Sequence, residues 1–347
     1  MKIVHINYSF TTGGAEALLV DIVNEQAKTQ DVSIIIINKL YNAELLNQIA
    51  NKVPIFLLNR IPGSKNPFKI FSLWKLLLKL GPDIIHCHEH SIIRILFLFR
   101  AAKILTIHDV KYVSGNLYKY SKLIAISEAV RKEIRDKYQL DAKVIYNGIN
   151  VENITYTQLI KKNNDNNFRI VQVSRLQHEK KGQHIVLEAV SRLIKNGINI
   201  SVDFIGEGPS EEYLKQLTSG LNITGNVSFL GNKDRSYIYQ HLCGYNLLIQ
   251  PSLFEGFGIT IIEAMAAGIE VLVSDIDGPR EIIKKIGYGY KFKSGDSNDC
   301  ALKIYEIYSN RSQSSSGLQR EACKKLFDIK ITAKNYLDEY RNLLSNK

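Results

Sequence analysis

Residues 246–268 read NLLIQPSLFEGFGITIIEAMAAG, which is a strand, a glycine turn and a helix in one run. The apolar residues Leu247–Ile249 are typical of a short buried strand. The pattern from Ile259 to Ala267 predicts a helix that the following glycine stops. Gly256 and Gly258 lie in the turn between them. A strand that runs through a glycine turn into a helix is typical of an α/β sheet protein.

The glycine turn has the chemistry of an anion site with acids beside it. Gly256 and Gly258 allow the backbone to approach a ligand closely, and the free N–H groups at the start of the helix suit a phosphate. Glu255 and Glu263 would repel a phosphate, so we expect them to accept hydrogen bonds from sugar or ribose hydroxyls. A nucleotide sugar carries both kinds of group. The alternative is a tight strand-to-helix connection without a ligand.

Composition describes a globular protein of two domains. The chain has 347 residues, of which 45% are hydrophobic and 23% are charged. This length allows two full cores. We expect a cytoplasmic protein, because the sequence shows neither a signal peptide nor a long uncharged apolar run. The four cysteines have no paired spacing, which favours a reducing compartment and gives no zinc pattern.

The net charge of +11 indicates an acidic partner or a biased composition. Nucleic acid is one class of partner, but the basic residues are spread along the chain and no nucleic-acid-binding motif appears, so we expect none. An anionic membrane surface fits better. The charge also attracts an anionic sugar nucleotide over a long range.

Strand and helix patterns occur twice, on either side of a polar, asparagine-rich segment. We therefore predict a first domain at 1–150, a linker at 151–167 and a second domain at 168–328. A last helix is predicted at 329–347. The fold class is α/β, with two Rossmann-like doubly wound domains.

Polar residues follow several predicted strands, where open α/β sheets place their ligands. Arg175 and Lys181 come after the strand 168–173, and they are predicted to approach the turn at Gly256. His108 comes after the strand 104–107. For each of these three residues the alternative is a side chain that has a structural role or is simply exposed to solvent.

Short motifs along the chain resemble those of one family. Glu255 and Glu263, with seven residues between them, resemble the glutamate-x7-glutamate motif of retaining glycosyltransferases of the GT-B fold, most closely family 4 (group 1). The other matching motifs are 13–16 (GGAE), 83–88 (DIIHCH), 107–109 (IHD), 125–128 (AISE), 144–149 (VIYNGI), 173–176 (VSRL), 181–182 (KG) and 206–209 (GEGP).

The resemblance implies the roles of individual residues. The catalytic set is Glu255, His108, Arg175 and Lys181. The donor-binding set is Gly13, Gly14, Arg175, Lys181, Gly256, Phe257, Gly258, Ile259 and Glu263. Nucleobase candidates are Gly231, Asn232 and Lys233, and acceptor candidates are His88 and His108. Lys180 and Lys181 are adjacent, unlike the family pattern, and Lys181 is chosen because it precedes Gly182.

The resemblance also implies a cleft between the two domains, and a last helix, 329–347, that packs back on the first domain. It implies a nucleoside-diphosphate-sugar as co-substrate, with no cofactor required. His86, His88 and His90 alternate in a predicted strand and would share one face, a spacing that also suits a metal. We expect no metal site, since the family usually works without a bound metal. Two apolar, basic segments, 67–80 and 92–100, have the alternatives of core packing and of lying on a bilayer.

The expected function is transfer of a sugar, with retained anomeric configuration, to a hydroxyl of a glycan or lipid-linked glycan. UDP-sugars are favoured over GDP-sugars, and the setting is synthesis of surface polysaccharide such as capsule, O-antigen or lipopolysaccharide, with peripheral attachment to the inner face of the cell membrane. One alternative is a nucleotide-sugar hydrolase or epimerase on the same fold. A more distant one is a basic nucleic-acid-binding protein.

Overall fold

A computed structural model describes residues 1–11, 13–64, 67–109, 116–156, 167–310 and 316–345. The chain divides into two compact units. The first unit is 1–149 with 328–347, and the second is 150–327. Most of the predicted linker lies outside the described residues. Its described beginning is packed, because Val151 and Ile154 are buried.

The described strands of the first unit form one parallel sheet in the order β3-β2-β1-β4-β5-β6-β7. These strands are β1 Lys2–Asn7, β2 Asp31–Asn38, β3 Ile55–Arg60, β4 Ile84–Cys87, β5 Ala102–Ile107, β6 Lys122–Ala125 and β7 Lys143–Val144. The helices of this unit are α1 Gly14–Gln26, α2 Ala43–Leu46, α3 Phe68–Leu80, α4 Glu128–Tyr138 and α13 Ile329–Ser345. The strand order reverses between β1 and β4, as in a doubly wound sheet.

The described strands of the second unit form a second parallel sheet in the order β10-β9-β8-β11-β12-β13. These strands are β8 Phe168–Val173, β9 Ile200–Ile205, β10 Val227–Phe229, β11 Leu247–Gln250, β12 Glu270–Ser274 and β13 Tyr290–Phe292. The helices are α5 His178–Lys181, α6 Gln183–Lys195, α7 Glu211–Gly220, α8 Arg235–His241, α9 Ile259–Ala267, α10 Asp277–Ile286, α11 Ser297–Ser309 and α12 Ser316–Phe327. The order reverses between β8 and β11.

Apolar runs and capping residues explain why these elements form. In β2, seven of the eight residues are buried, as expected for a central strand covered on both faces. The helix predicted at 259–267 is confirmed, and Gly268 ends it with a left-handed backbone (φ 78°). Ser127 caps α4 by accepting the N–H of Val130.

Helix α13 completes the core of the first unit. Its residues Tyr336 and Tyr340 are 2% and 0% exposed. Thr332 at its start donates to the main-chain oxygen of Tyr146, and Ile329 donates to that of Ile149. The first unit is therefore built from both ends of the chain.

All four cysteines are free thiols, and Cys87, Cys300 and Cys323 are buried. Among the residues that the structure describes, no helix has the length and apolar character needed to cross a bilayer.

Candidate functional site

The predicted residues of the second unit lie at the carboxyl ends of β8 and β11. These two strands are neighbours in the sheet, with Leu247 beside Ile170 and Leu248 beside Val171. Because the strand order reverses here, the loops after the two strands open a crevice suited to a ligand. Arg175 follows β8, and the glycine loop, Glu255–Gly258, follows β11.

Lys181 and Glu255 form an ion pair. The distance from Lys181 Nζ to Glu255 Oε2 is 2.6 Å, and the two side chains are only 18% and 16% exposed. The sequence assigned these residues separate roles, a cation for phosphate and an acid for sugar hydroxyls. The structure brings the two charges into direct contact, so each sets the orientation of the other.

Arg175 offers a second cation. Its side chain is exposed, and within the described parts of the chain no hydrogen bond or ion pair holds its guanidinium. The side chain is therefore available to an anionic ligand, to which a guanidinium binds with two parallel hydrogen bonds.

The loops of Lys181 and Glu255 meet closely because of Gly182. It has a left-handed backbone (φ 68°), and a Cβ added there would lie 2.0 Å from the main-chain oxygen of Pro251. Gly258, which begins α9, also has a positive φ of 104°. Only glycine takes these conformations without strain. Both positions therefore require glycine.

The start of α9 combines polar and core residues. Glu263 is 6% exposed inside the helix. Phe257, predicted to bind the donor, is 1% exposed, and its ring packs edge-on against Phe327 at 5.7 Å. Its ring therefore belongs to the core, and only its main chain is left for ligand contact.

The nucleobase candidates follow β10. Gly231 accepts the N–H of Gly206 at 2.8 Å, which ties this loop to the loop after β9. Asn232 N–H donates to Glu207 Oε1 at 3.3 Å, and the Lys233 ammonium lies 5.2 Å from the ring centre of Tyr237. The three residues lie on a turn at the same end of the sheet as Arg175.

Three buried glutamines beside this site were missed from the sequence. Gln172 donates to the main-chain oxygen of Lys181 at 2.9 Å, Gln183 donates to that of Arg175 at 2.9 Å, and Gln250 donates to Glu255 Oε2 at 3.1 Å. The sequence contains a repeated pattern that could have indicated two of them: Gln-x-Ser occurs at 172–174 and again at 250–252, at the ends of neighbouring strands. In each case the glutamine amide donates to the serine hydroxyl at 3.2 Å.

The predicted residues of the first unit lie at the carboxyl ends of β1, β4 and β5. Gly13 precedes α1 with an extended backbone, and Gly14 is the first residue of that helix. Glu89, missed from the sequence, accepts the N–H of Tyr8 at 3.1 Å. Burial raises the pKa of Glu89 to about 8, with the Glu16 carboxylate adding to the rise, so this acid is largely protonated at neutral pH.

His88 is held by a buried hydrogen-bond chain. His88 Nε2 lies 3.1 Å from His5 Nδ1, and His5 Nε2 lies 2.8 Å from Gln26 Oε1. The Gln26 amide in turn donates to the hydroxyl of Tyr340 at 3.3 Å. The ring of His88 is thereby oriented by partners on β1, α1 and α13.

The same chain continues through His86. The hydroxyl of Tyr340 lies 2.6 Å from His86 Nδ1, and His86 Nε2 lies 2.8 Å from the hydroxyl of Thr106. Thr106 is 3.1 Å from the hydroxyl of Tyr336. The expectation that His86, His88 and His90 share one face of a strand is wrong, because β4 ends at Cys87 and His90 begins a 3₁₀ helix.

One histidine group in the described residues has metal-ligand geometry. Side-chain nitrogens of His5, His86 and His88 lie within 4.8 Å of one another. Both ring nitrogens of His5 and of His86 are already hydrogen-bonded, so a metal ion would have to replace those bonds. The geometry favours a network of neutral imidazoles, and the expectation of no metal stays a prediction.

Burial keeps these imidazoles neutral. It lowers the pKa of His5 to about 4 and that of His108 to about 4. It also holds the pKa values of His86 and His88 well below 6.5, with neighbouring histidines adding to the effect. His88 and His108 stack at 6.3 Å between ring centres. Near neutral pH both present uncharged rings, which suit contact with a sugar hydroxyl.

Two family descriptions match nearly the whole chain. Residues 12–153 match the family "Glycosyltransferase Family 4", and residues 157–325 match "Glycosyl transferases group 1". The second match contains every predicted residue of the second unit, from Arg175 to Glu263.

Curated relatives include Protein CapJ of Staphylococcus aureus, 30% identical over 71% of this chain and 54% of that protein. A phosphatidyl-myo-inositol mannosyltransferase of Mycobacterium leprae is 26% identical over 54% of this chain and 50% of its own length. The chain spans about half the length of these relatives.

Solved structures share the fold along the whole chain. Anabaena HepE in complex with UDP-glucose is 22% identical with a TM-score of 0.83, and covers 99% of this chain and 100% of its own. A glycosyltransferase from Rickettsia africae is 21% identical with a TM-score of 0.81, and covers 100% and 99%. The predicted fold class, α/β with two Rossmann-like domains of the GT-B type, is confirmed. With both family matches in the predicted order along the chain, the protein belongs to the group 1 glycosyltransferases of the family 4 type.

Proposed function

We propose that the protein is a retaining glycosyltransferase that uses a nucleoside-diphosphate-sugar, with UDP favoured over GDP. The observation that carries the proposal is the Lys181–Glu255 ion pair at the glycine loop. It puts a cation, an acid and the amino end of α9 beside one another, which suits a ligand that has both a diphosphate and sugar hydroxyls.

In the proposed reaction, the bond between the anomeric carbon and the diphosphate oxygen breaks. A new bond forms from that carbon to the receiving hydroxyl on the same face, and the hydroxyl proton passes to the leaving diphosphate. Arg175, Lys181 and the amides at Gly258 stabilise the charge that develops on the diphosphate. No further cofactor is required.

The other predicted residues take binding roles in this proposal. Glu255 accepts hydrogen bonds from the donor sugar, Glu263 from the ribose, and the turn at 231–233 contacts the nucleobase. His88 and His108 contact the acceptor, a glycan or lipid-linked glycan in synthesis of surface polysaccharide. HepE of Anabaena, which shares the fold, has been solved with UDP-glucose, and this supports the UDP preference.

A donor and acceptor screen tests the function. Thermal-shift measurements with UDP, GDP and ADP and their sugars identify the donor, because a ligand that binds only the folded state raises its melting temperature. Transfer assays then measure nucleoside diphosphate release with and without glycan acceptors. Release that needs no acceptor would favour a hydrolase. An inverted anomeric centre in the product, seen by NMR, would contradict retention.

Variants of Glu255 and Arg175 test the site, and a lysine variant on the surface of the same unit is the control. Glu255→Ala and Arg175→Ala are expected to lower transfer on the order of 100-fold, since each removes a group that acts on the reacting centre. Lys303→Ala removes a lysine on α11 that pairs with Glu306 on the surface of the same unit, and transfer should be unaffected. If both site variants retain wild-type rates, the site assignment is wrong.

We further propose that the first unit binds an anionic membrane surface through α3 and through residues 92–100. Phe68 and Leu78 on α3 are 73% and 75% exposed, and Phe97 is 67% exposed. Trp74 joins the two segments, because its ring packs edge-on against Phe97 at 5.5 Å and its indole donates to Ile95. The exposed lysines at 75 and 79 lie on the same helix, a combination that suits anionic headgroups.

Sedimentation with liposomes tests the membrane proposal. Binding to vesicles with phosphatidylserine should exceed binding to neutral vesicles and should weaken with added salt. Phe68→Ser with Leu78→Ser should release the protein, whereas Leu302→Ser, which changes an exposed leucine of the second unit (67%), should not. Equal sedimentation of all three proteins would contradict the proposal.

A further inference from the structure

Two of the buried glutamines hold the main chain of the cationic residues. We propose that Gln172, Ser174 and Gln183 are positioning residues that fix Arg175 and Lys181 for the diphosphate. The inference rests on the proposed function, in which these two cations bind the donor. It adds residues that act on the donor through the main chain of the two cations.

Gln183 fixes the position of Arg175. The Gln183 side chain is fully buried, and its Nε2 donates to the main-chain oxygen of Arg175 at 2.9 Å and to the hydroxyl of Ser174 at 3.1 Å. A carbonyl oxygen only accepts, so the amide nitrogen must face it. The orientation of the amide group follows from chemistry alone.

Gln172 fixes the position of Lys181 in the same way. Its Nε2 donates to the main-chain oxygen of Lys181 at 2.9 Å and to Ser174 at 3.2 Å, and its side chain is 1% exposed. Ser174 therefore accepts from both amides. The single hydroxyl links the loop after β8 to the end of α5, which carry the two cations.

The cost of this arrangement is visible in the amide oxygens. Gln172 Oε1 and Gln183 Oε1 are buried and have no hydrogen-bond partner among the described residues. A buried acceptor without a donor disfavours folding. An apolar side chain would avoid that loss, so the amide nitrogens and the two carbonyl groups they hold account for glutamine at both positions.

Small displacements matter at such a site. Arg175 and Lys181 carry long side chains, so a shift of either main chain moves its charge away from the diphosphate. Misplacement of a group by about 1 Å can reduce activity on the order of 100-fold. Buried hydrogen bonds behind a site are what limit such shifts.

Calorimetric titration of the full chain with UDP tests the inference. Gln172→Met and Gln183→Met keep the side-chain length and remove the donors, and each is expected to weaken UDP binding on the order of 10-fold. The matched control is Gln319→Met in the same unit. Gln319 is 1% exposed, and neither of its amide atoms has a partner in the described structure, so UDP affinity should be unchanged.

Double variants separate positioning from general damage. If Gln183 acts through Arg175, Gln183→Met should add nothing to the loss in Arg175→Ala, and Gln172→Met should add nothing in Lys181→Ala. Ser174→Ala makes a smaller change to the same contacts and should weaken UDP binding even if a glutamine variant does not fold.

The outcomes distinguish the inference from the function on which it rests. Failure of the wild-type protein to bind UDP or GDP would overturn both. Normal binding by the wild type together with undiminished binding by the folded variants would overturn the inference alone. So would losses that add fully to those of Arg175→Ala and Lys181→Ala.

Discussion

Lys181 and Glu255 carry opposite charges and are both largely buried, so each charge is stabilised by the other. Lys181→Met leaves the Glu255 carboxylate without its cation, although Gln250 still donates to it. We expect a loss of about 2 kcal/mol in the free energy of unfolding. The double variant Lys181→Met with Glu255→Leu should recover much of it, because no unpaired charge remains.

Urea unfolding and a transfer assay measure the two effects separately. Both variants should be inactive in transfer, so recovered stability without recovered activity would show that the pair is kept for function. Equal stability of the single and double variants would mean that the unpaired Glu255 carboxylate does not destabilise the fold.

We expect His5 and His108, whose pKa values are lowered, to make the first unit less stable in acid. The unfolded state binds a proton at each histidine near pH 6.5, whereas the pKa values of His5 and His108 in the folded state are about 4. Between pH 6.5 and 4 the unfolded state therefore binds more protons, and stability falls as the pH falls. Each such histidine contributes up to about 1.4 kcal/mol per pH unit.

Fluorescence of Trp74, the single tryptophan of the chain, reports unfolding of the first unit. Urea unfolding at several pH values should give a shallower pH dependence in His108→Gln than in the wild type. His241→Gln changes an exposed histidine of the second unit and should leave the slope as it is. An unchanged slope in His108→Gln would contradict burial as the cause.

The sequence indicated single candidate residues but not their partners. Glu255 and Lys181 were both candidates, but they are 74 positions apart and no local pattern shows that they touch. His88 was a candidate as well, while the residues that orient it lie on other elements, the furthest being Tyr340 on α13. The roles of the predicted site residues stay predictions.

At the scale of elements, Gly182 permits two loops to meet. Gly182→Ala introduces both an unfavourable φ and a clash with the main chain at Pro251. Gly197→Ala introduces an unfavourable φ (80°) with nothing within 4 Å of the new Cβ. We expect Gly197→Ala to cost about 1 kcal/mol, and Gly182→Ala to cost more and to weaken UDP binding.

Comparison of the two variants separates the effect of the close contact between Gly182 and Pro251 from the effect of the unfavourable φ. Chemical unfolding gives the stabilities, and calorimetric titration with UDP gives the binding. If both variants lose equal stability and bind UDP equally well, the contact at Pro251 has no role in shaping the site.

Helix α13 ties its own tyrosines into the histidine chain. Tyr340→Phe removes the hydroxyl that lies between Gln26 and His86 and leaves both buried groups short of a partner. We expect a loss of about 2 kcal/mol in the stability of the first unit, followed by Trp74 fluorescence. Tyr336→Phe is the control, since among the described residues its hydroxyl is hydrogen-bonded only to Thr106, and Thr106 keeps its bond to His86. A larger loss in Tyr336→Phe would contradict this order.

Most elements followed from local signals. The helix at 259–267 was predicted with the correct bounds, because glycines flank it and an apolar pattern fills it. The strand expected through His90 was wrong, because the alternating histidines continue past the point where the sheet hydrogen bonds stop at Cys87. Alternation indicates which way side chains point, but only pairing with neighbouring strands fixes where a strand ends.

At the scale of the molecule, the two units differ in continuity. The second unit is one segment, 150–327, and the first needs residues 328–347 as well. Removal of 328–347 is expected to unfold the first unit, since Tyr336 and Tyr340 leave its core, while the second unit keeps its sheet. Trp74 fluorescence and hydrogen exchange, resolved by segment, measure the two responses. Loss of protection throughout 168–310 would contradict independent folding.

The discontinuous first unit has a consequence for synthesis on the ribosome. His86 contacts Tyr340, which is 254 residues further along the chain. At 5–20 residues per second, that partner emerges roughly 10 to 50 s later. The second unit can fold during this interval. The core of the first unit stays incomplete until Tyr336 and Tyr340 emerge, so the apolar surface that they cover remains exposed. We therefore expect residues 1–149 to complete their core after residues 150–327, although they precede them in the chain.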